Sequence, residues 1–426
     1  MRSNRHISAP PSTKFIMNIP SKSAPRGFKP FPFPYHEEIE LDIETLTNMG
    51  KGLARTSDGW VVFVPFCLPG ERVIARIYRN DKNFSEADLV KVIRSSPERT
   101  EPRCKLFGEC GGCQYQNLEY KHQLKWKRKQ LEDLLSHMTN INFPVQEVIA
   151  SPLEYGYRSK ITPHFNKPKN NQIGEIGFQR AGRRQLIDVE FCDIAHPDIN
   201  VRLSEMRNSI RRDAANYKKG ATLLIRADAN NEVHTNSSHI ATDRVNNIVF
   251  KYPAGSFFQN NPSILAKFTA HVRELAAAEN SEYLVDAYCG AGLFSLTAAS
   301  GFKKVTGIEI SEESIHWAKK NAATNNIRNV DFIKGKVEEF FKAIIFDASK
   351  TAVVVDPPRK GCSKDFLSQL FKFSPKNVVY VSCNPSTQLR DLILFQQAGY
   401  QLSQVQPFDL FPQTKHLECV MSLTTQ

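Results

Sequence analysis

From residue 256 onwards, short apolar runs alternate with segments of helical pattern. The six apolar runs are "EYLVDAYCG", "KVTGIEI", "NVDFIKG", "TAVVVDPPR", "NVVYVSCNP" and "ECVMSL". Runs rich in β-branched and aromatic residues are typical of buried strands, and strands that alternate with helices form a parallel sheet with helices on both faces. The pattern therefore predicts an α/β, doubly wound, Rossmann-like domain over residues 256–426.

The earlier part of the chain has a different periodicity. Residues 37–95 alternate apolar and polar positions between glycine-containing turns, which predicts a small OB-like β-barrel. Residues 96–140 hold a cysteine-rich stretch and then an amphipathic helix with a basic first half, a pattern equally compatible with a solvated face and with a phosphate-binding track. Residues 141–255 return to alternating runs, so we expect a central antiparallel α+β domain over residues 96–255.

The first 36 residues contain seven prolines, six basic residues and no acidic residue. This composition predicts a disordered basic segment. It shares an Arg-rich, Ser-rich character with organelle transit peptides, but seven prolines would disrupt the amphipathic helix that import signals need. We therefore expect a cytoplasmic protein, with a mitochondrial or plastid location as the alternative. The chain has no apolar run long enough to span a membrane.

The formal net charge of +12 suits a polyanionic partner, although half of it lies in the first 36 residues. Charge alone favours nucleic acid only weakly over a solvated surface. Nine cysteines in a chain without a secretory signal are expected to stay reduced, and they need explanations other than disulfides.

A glycine-rich turn follows the first strand of the predicted parallel sheet. Gly290 and Gly292 in "DAYCGAG" allow a ligand to approach the backbone just before a helix N-terminus. Such loops occur in dinucleotide enzymes and in methyltransferases. Two details favour adenosylmethionine: the loop departs from G-x-G-x-x-G, and Glu309 ends the second strand, where a carboxylate can accept both ribose hydroxyls. Asp286 would lie near the cationic end of this ligand.

Four polar side chains follow or begin neighbouring strands: Cys383 after "VVYVS", Asp356 and Arg359 in "DPPRKG", and Glu418 in "HLECV". Alone, Cys383 is equally well explained as a packing residue. Together with a methyl donor, a thiolate and a carboxylate base suit methylation of uracil at C5, because thiolate addition at C6 makes C5 nucleophilic. Cys383 would then be the nucleophile, Glu418 the base that removes the C5 proton, and Arg359 a stabiliser of the enolate charge.

The order of these motifs resembles that of the RNA uracil-5 methyltransferases, whose catalytic domain has the class I methyltransferase fold. The resemblance rests on "GSFFQNNP", "DAYCGAG", "IEIS", "DPPRKG", "SCNPSTQLRDL" and "HLECV". "GKGLAR…GWVVFVPFCLPGERV" resembles the TRAM module, an RNA-binding barrel that precedes these motifs in the 23S ribosomal RNA branch. The resemblance implies that Cys383 attacks, that Glu418 deprotonates, and that four residues bind adenosylmethionine: Gln259, Tyr288, Glu309 and Asp356. It departs at Leu293, where relatives often have Asn.

Four other cysteines predict a metal centre. Cys104, Cys110 and Cys113 are spaced C-x5-C-x2-C, and Cys192 in "FCDI" is the best candidate for a fourth ligand. The resemblance implies the 4Fe-4S cluster of the ribosomal branch, and zinc is the main rival. The remaining cysteines are assigned to packing: Cys67, Cys289, Cys362 and Cys419.

These observations predict a monomeric, adenosylmethionine-dependent enzyme that methylates C5 of one uridine in structured RNA. The first expectation for the substrate is 23S rRNA, and the alternative is uridine 54 of tRNA. An RNA-binding or assembly factor that has lost turnover is the runner-up from another class. Cytosine-5 methylation is disfavoured because the catalytic cysteine of that reaction usually follows proline, whereas Cys383 precedes Asn-Pro.

Overall fold

The computed structural model describes residues 23–336 and 344–425, so most of the predicted disordered segment lies outside the described residues. The chain divides into two compact units. The first comprises Met1–Gly108 and Cys113–His122, and the second comprises Glu109–Gly112 and Gln123–Gln426.

The first unit is built on one six-stranded sheet. Its strands are β1 (Glu38–Asp42), β2 (Thr45–Leu46), β3 (Lys51–Arg55), β4 (Val61–Pro65), β5 (Arg72–Asn80) and β6 (Phe84–Arg94). The order is β1-β5-β6-β4-β3-β2, and all neighbours are antiparallel except β4 and β6. Alternate residues such as Val62 and Val64 are fully buried, because successive side chains of a strand point to opposite faces.

The second unit begins with a helical and antiparallel region. Its elements are α1 (Tyr120–Thr139), β7 (Lys160–Ile161), β8 (His164–Phe165), β9 (Ile176–Gln179), β10 (Leu186–Asp188), α2 (Pro197–Arg212), β11 (Ala221–Thr222), β12 (Ile225–Ala227) and β13 (Val233–His234). Two small antiparallel sheets form, of order β10-β9-β8-β11 and β13-β12-β7. The sequence analysis expected these strands but missed α2, although Pro197 at its first turn and the buried Ile199, Leu203 and Ile210 at helical spacing signal it.

The rest of the second unit contains a seven-stranded, mostly parallel sheet. The remaining elements are β14 (Ile240–Val245), β15 (Ile248–Pro253), α3 (Pro262–Ala277), β16 (Tyr283–Ala287), α4 (Leu293–Ala298), β17 (Lys304–Glu309), α5 (Glu312–Thr324), β18 (Val330–Lys334), β19 (Thr351–Val355), α6 (Lys364–Phe373), β20 (Asn377–Ser382), α7 (Pro385–Gln397), β21 (Gln401–Phe408) and β22 (Glu418–Thr424). The order is β18-β17-β16-β19-β20-β22-β21, in which only the pairs made by β22 are antiparallel. All six apolar runs are strands of this sheet, whereas β21 was not expected.

Two apolar cores cover the two faces of this sheet. Leu284 and Val354 pack into one core with α3 and α5, while Val285 and Val355 pack into the other with α6 and α7. Strands buried on both faces need continuous apolar runs, which is why the sequence pattern here is not alternating. The antiparallel hairpin of β14 and β15 shares the first of these cores. No helix within the described residues is long and apolar enough to cross a membrane.

Candidate active site

The loop after β16 has the backbone of a ligand-binding turn. Tyr288, Gly290 and Gly292 have positive φ angles of 66°, 53° and 90°, so the chain reverses sharply before α4 begins. Glu309, at the end of β17, is fixed against this loop because its carboxylate oxygens accept hydrogen bonds from the amides of Gly290 (3.2 Å) and Ser311 (2.9 Å). Each carboxylate oxygen has a second lone pair, so Glu309 can still accept hydrogen bonds from ligand hydroxyls.

Asp286 is a buried carboxyl group beneath this loop. Its Oδ2 accepts hydrogen bonds from the amide (2.8 Å) and hydroxyl (2.5 Å) of Ser295, while its Oδ1 has no partner among the described residues. Burial, opposed by the bonds from Ser295, raises the pKa of Asp286 to about 7. A buried carboxyl with an unpartnered oxygen is suited to a cationic ligand group, which would favour its ionised form.

Asp356 lies on the neighbouring strand end. Ala287 of β16 pairs with Val355 of β19, so Asp356 follows directly after the last paired residue. Burial, and then the charge of Asp286, raise the pKa of Asp356 to about 7. Two carboxyl groups of raised pKa therefore occupy adjacent strand ends at the carboxyl edge of the sheet, where open α/β sheets bind ligands.

The other two residues that the resemblance assigns to the donor lie in well-packed segments. Gln259 is buried just before α3. Two residues later, Asn261 donates from Nδ2 to Ser151 Oγ and to the carbonyl of Leu410, both at 3.0 Å. Tyr288 packs its ring edge-on against another aromatic ring, that of Phe366, with centroids 5.5 Å apart. Leu293, the position at which the resemblance departs, is buried in the core at the start of α4.

Cys383 and Glu418 are brought together by the register of two antiparallel strands. Ser382 of β20 pairs with Cys419 of β22, so the residues just beyond this pair are Cys383 and Glu418. Burial and the charge of Glu418 raise the pKa of the Cys383 thiol to about 11, whereas Arg359 lowers it through its charge and a hydrogen bond to the thiol. The predicted nucleophile, base and cation therefore share one site.

Glu418 is almost inaccessible, with 4% of its surface exposed. Burial and then the charge of Asp356 hold its pKa well above the usual range, and Arg359 opposes them. A carboxyl group with high proton affinity is suited to removing a proton from carbon.

His416 is a site residue that the sequence reasoning missed. Burial lowers its pKa to about 4, and so do the positive charges of Arg359, Lys415, Lys127 and Arg158, in that order. The imidazole is therefore neutral at physiological pH. The sequence signal for this residue was its position two residues before Glu418 in "HLECV".

Comparison with known proteins places this chain in a family. A sequence model described as tRNA (Uracil-5-)-methyltransferase matches residues 230–426, and a TRAM domain model matches residues 36–90. A Schizosaccharomyces pombe protein named tRNA (uracil(54)-C(5))-methyltransferase is 40% identical over 92% of this chain and 79% of its own length. The chain belongs to the tRNA (uracil-5-)-methyltransferase family. The predicted activity, adenosylmethionine-dependent RNA (uracil-C5)-methylation, and the TRAM domain are thereby confirmed.

Further relatives of this methyltransferase extend the comparison. The Saccharomyces cerevisiae protein named tRNA (uracil(54)-C(5))-methyltransferase is 34% identical, covering 92% of this chain and 75% of the relative. An uncharacterized RNA methyltransferase of Halalkalibacterium halodurans is 31% identical, and the match covers 92% of this chain and 98% of that protein. The crystal structure of Pyrococcus abyssi tRNA (uracil-54, C5)-methyltransferase in complex with S-adenosyl-L-homocysteine is similar in fold, with a TM-score of 0.70, 24% identity, and coverage of 91% and 100%.

The basic run on α1 of this methyltransferase is largely neutralised. Lys127 is fully buried and donates to Asp409 Oδ1 at 2.7 Å. Arg128 pairs with Glu132 and Glu147, and Lys129 pairs with Asp133. These ion pairs favour a structural role for these three residues over a phosphate-binding track. Lys127 was missed as a core residue because its partner lies 282 positions away.

The predicted metal ligands fall in different parts of the chain. Within the second unit, the backbone of Cys192 exchanges two hydrogen bonds with the side chain of Asn200, of 2.8 and 3.1 Å. Burial raises the pKa of the Cys192 thiol to about 11, and the charge of Cys110 adds to this. Cys104 and Cys113 belong to the first unit. The four cysteines assigned to packing are all buried.

Proposed function

We propose that this enzyme methylates C5 of uridine 54 in tRNA through a covalent adduct of Cys383. The names of the two yeast relatives support this RNA target. The expectation of 23S rRNA rested on the TRAM module. The two yeast relatives, which are named as tRNA methyltransferases, match 92% of this chain. The unmatched 8% is shorter than the TRAM domain at residues 36–90, so the match must include part of that domain. A TRAM module therefore does not favour ribosomal RNA over tRNA, although 23S rRNA stays the second candidate.

The adjacency of Cys383 and Glu418, where β20 ends and β22 begins, is the observation that carries the mechanism. The Cys383 thiolate adds to C6 of uracil, and the electrons of the C5–C6 double bond move into an enolate. C5 then takes the methyl group that adenosylmethionine supplies. Glu418 removes the C5 proton, the double bond re-forms, and the C6–S bond breaks to release the thiolate.

Arg359 serves both halves of this reaction. Its charge lowers the pKa of Cys383 and also that of Glu418, so it favours the ionised form of each. The same guanidinium can stabilise the enolate that forms between the two steps. Burial raises the pKa of both groups, so each must lose its proton before it acts, and the charge of Arg359 favours that loss.

The donor site combines the loop after β16 with two carboxyl groups. Glu309 would accept the ribose hydroxyls, while Gln259, Tyr288 and Gly290 would line the pocket. The raised pKa values of Asp286 and Asp356 support a cationic ligand nearby, since a sulfonium charge would offset the cost of ionising them.

We also propose that Cys104, Cys110, Cys113 and Cys192 hold a 4Fe-4S cluster. The effect of the Cys110 charge on the pKa of Cys192 supports two of these ligands, and the other two rest on the spacing of the sequence. The protein purified without oxygen should be brown, with about four irons per chain, and Cys192→Ser should bleach it. A colourless protein with one zinc would replace the proposal by its rival.

The function is tested with tRNA transcripts in which position 54 is uridine or cytidine, beside a 23S rRNA fragment. Methyl transfer should require uridine 54, and tRNA containing 5-fluorouridine should form a stable adduct with the enzyme. Cys383→Ala should abolish transfer while adenosylmethionine affinity stays within a few-fold, because the thiol contacts the base and not the donor. Full turnover by this variant would refute the mechanism, and transfer to the 23S fragment alone would refute the target.

A further inference from the structure

Helix α7, which begins directly after the nucleophile turn, contacts three segments of the active site through its side chains. It carries the motif "NPSTQLRD", residues 384–391. Residues three and four positions apart share one face of a helix, so Thr387, Gln388, Arg390 and Asp391 can all project toward the sheet. Gln388 and Asp391 are buried, with 0% and 1% of their surfaces exposed.

The first segment is the loop that carries Arg359. The carbonyl of Arg359 accepts a hydrogen bond from Asn384 Nδ2 (3.0 Å). Thr387 Oγ1 lies 3.2 Å from the same carbonyl and 3.0 Å from the carbonyl of Asn384, so its single proton is shared between the two. Arg390 Nη2 donates to the carbonyl of Lys360 at 3.1 Å. The backbone at Arg359 and at the residue after it is therefore held by Asn384 and by α7.

Asp391 anchors the end of the same loop. Its Oδ2 accepts hydrogen bonds from the amide of Cys362 (2.9 Å) and from the hydroxyl of Tyr380 (2.7 Å) on β20. Its Oδ1 accepts two more from Arg390, at 2.9 and 2.7 Å. One buried carboxylate thus ties the loop to the strand that ends at Cys383.

Gly361 shows how closely the loop lies on the helix. It has a φ angle of 78°, and a Cβ atom there would lie 2.6 Å from Arg390 Nη2 and 2.7 Å from Asp391 Oδ2. No side chain fits between the loop and α7, so the loop cannot shift toward the helix.

Gln388 connects the two strands that bear the proposed nucleophile and base. Its Nε2 donates to the carbonyl of Tyr380 (2.8 Å), on β20, and to the carbonyl of Cys419 (3.1 Å), on β22. Cys419 is the residue after Glu418, and Tyr380 is three residues before Cys383. The amide therefore bridges β20 and β22 close to the place where their pairing ends.

We infer that Thr387, Gln388 and Asp391 are positioning residues that set Arg359 and Glu418 against Cys383. None of them needs to contact RNA or the donor, since each acts through the segment that it holds. The inference rests on the proposed covalent mechanism, and it predicts that loosening α7 slows thiolate attack rather than ligand binding.

The test measures adduct formation with 5-fluorouridine tRNA. Thr387→Val keeps the shape and removes the hydroxyl that links the carbonyls of Arg359 and Asn384, so the rate should fall roughly fivefold. The pH profile should move to higher pH, because a displaced Arg359 no longer lowers the pKa of Cys383. Thr387→Ser should restore both, and Thr324→Val, on the exposed end of α5, should match the wild type. Adenosylmethionine affinity should stay within twofold in all of them.

Asp391→Asn is the stronger variant, with a larger loss of rate and the same shift of the profile. If Asp391→Asn fails to fold, Thr387→Val still tests the inference. This second variant leaves no buried charge unpaired, so it should fold. Unchanged rates and pH profiles in both variants would overturn the inference. So would a loss confined to donor affinity. A wild-type enzyme that forms no adduct would instead refute the covalent mechanism itself.

Discussion

Two buried glutamates, one in each unit, have opposite surroundings. Glu71 in the first unit accepts hydrogen bonds from the amides of Leu68 (2.9 Å) and Ser96 (3.2 Å) and from two nitrogens of Arg99 (2.5 and 2.8 Å). Glu418 in the second unit has no hydrogen-bonding partner for its side chain among the described residues, and it faces the charge of Asp356. The first is the setting of a structural carboxylate in a buried salt bridge, and the second is that of a carboxyl group that takes up a proton.

The same contrast extends beyond these two residues. In the first unit, Arg72 lowers the pKa of Asp42 through a hydrogen bond, and Arg76 pairs with Glu38. In the second unit, burial raises the pKa values of Asp286 and Asp356 to about 7. Paired acids stabilise the fold that contains them, whereas buried acids without a cation cost stability, and that cost indicates a functional site.

Replacing Glu418 by Gln should give the largest effect. Free methylated product should fall by about a thousandfold, since the C5 proton loses its acceptor. The enzyme should instead accumulate as a methylated adduct with RNA on denaturing gels, and its melting temperature should not fall. Normal release of product would show that Glu418 is not the base.

The matched substitution Glu71→Gln should act on stability and not on chemistry. It leaves Arg99 without its buried counter-charge, so the free energy of unfolding should fall by about 3 kcal/mol. Calorimetry measures this loss, and adenosylmethionine affinity should stay unchanged. Equal melting temperatures for the Glu71 and Glu418 variants would remove the contrast between the two glutamates.

The stability of the protein should depend on pH because the pKa values of Asp286 and Asp356 are raised. In the unfolded chain they release protons near pH 4, but in the folded protein Asp356 and Asp286 keep theirs until about pH 7. The folded state therefore binds more protons between these values, and their contribution to stability falls as the pH rises from about 4 to 7. Asp356→Asn should make this decline shallower in thermal melts, and an unchanged slope would contradict the raised pKa.

Arg76→Gln should have the smallest effect. The side chain of its partner Glu38 is 45% exposed, so loss of this ion pair should change the free energy of unfolding by less than about 1 kcal/mol. Raising the salt concentration should reduce even this difference. A loss as large as that of Glu71→Gln would mean that surface pairs matter as much as the buried one.

Local patterns were sufficient for much of the fold. The six apolar runs of the parallel sheet and the alternating strands of the six-stranded sheet follow from periodicity over a few residues. The glycine turn after β16 could also be predicted from the sequence, because positive φ angles favour glycine. Helix α2 and strand β21 were missed although their sequence patterns were present. Both could therefore have been predicted from the sequence.

The arrangement of the site depends on contacts between distant residues. Sequence alone identified Cys383, Arg359 and Glu418 as candidates, but the adjacency of Cys383 and Glu418 follows from the register of β20 and β22. Register is decided by the packing of whole strands, since a slip of one residue would turn every side chain to the other face. Proton affinities depend on burial and on charges brought close by folding, and so the raised pKa of Glu418 and the ion pair of Lys127 with Asp409 existed only in the tertiary structure.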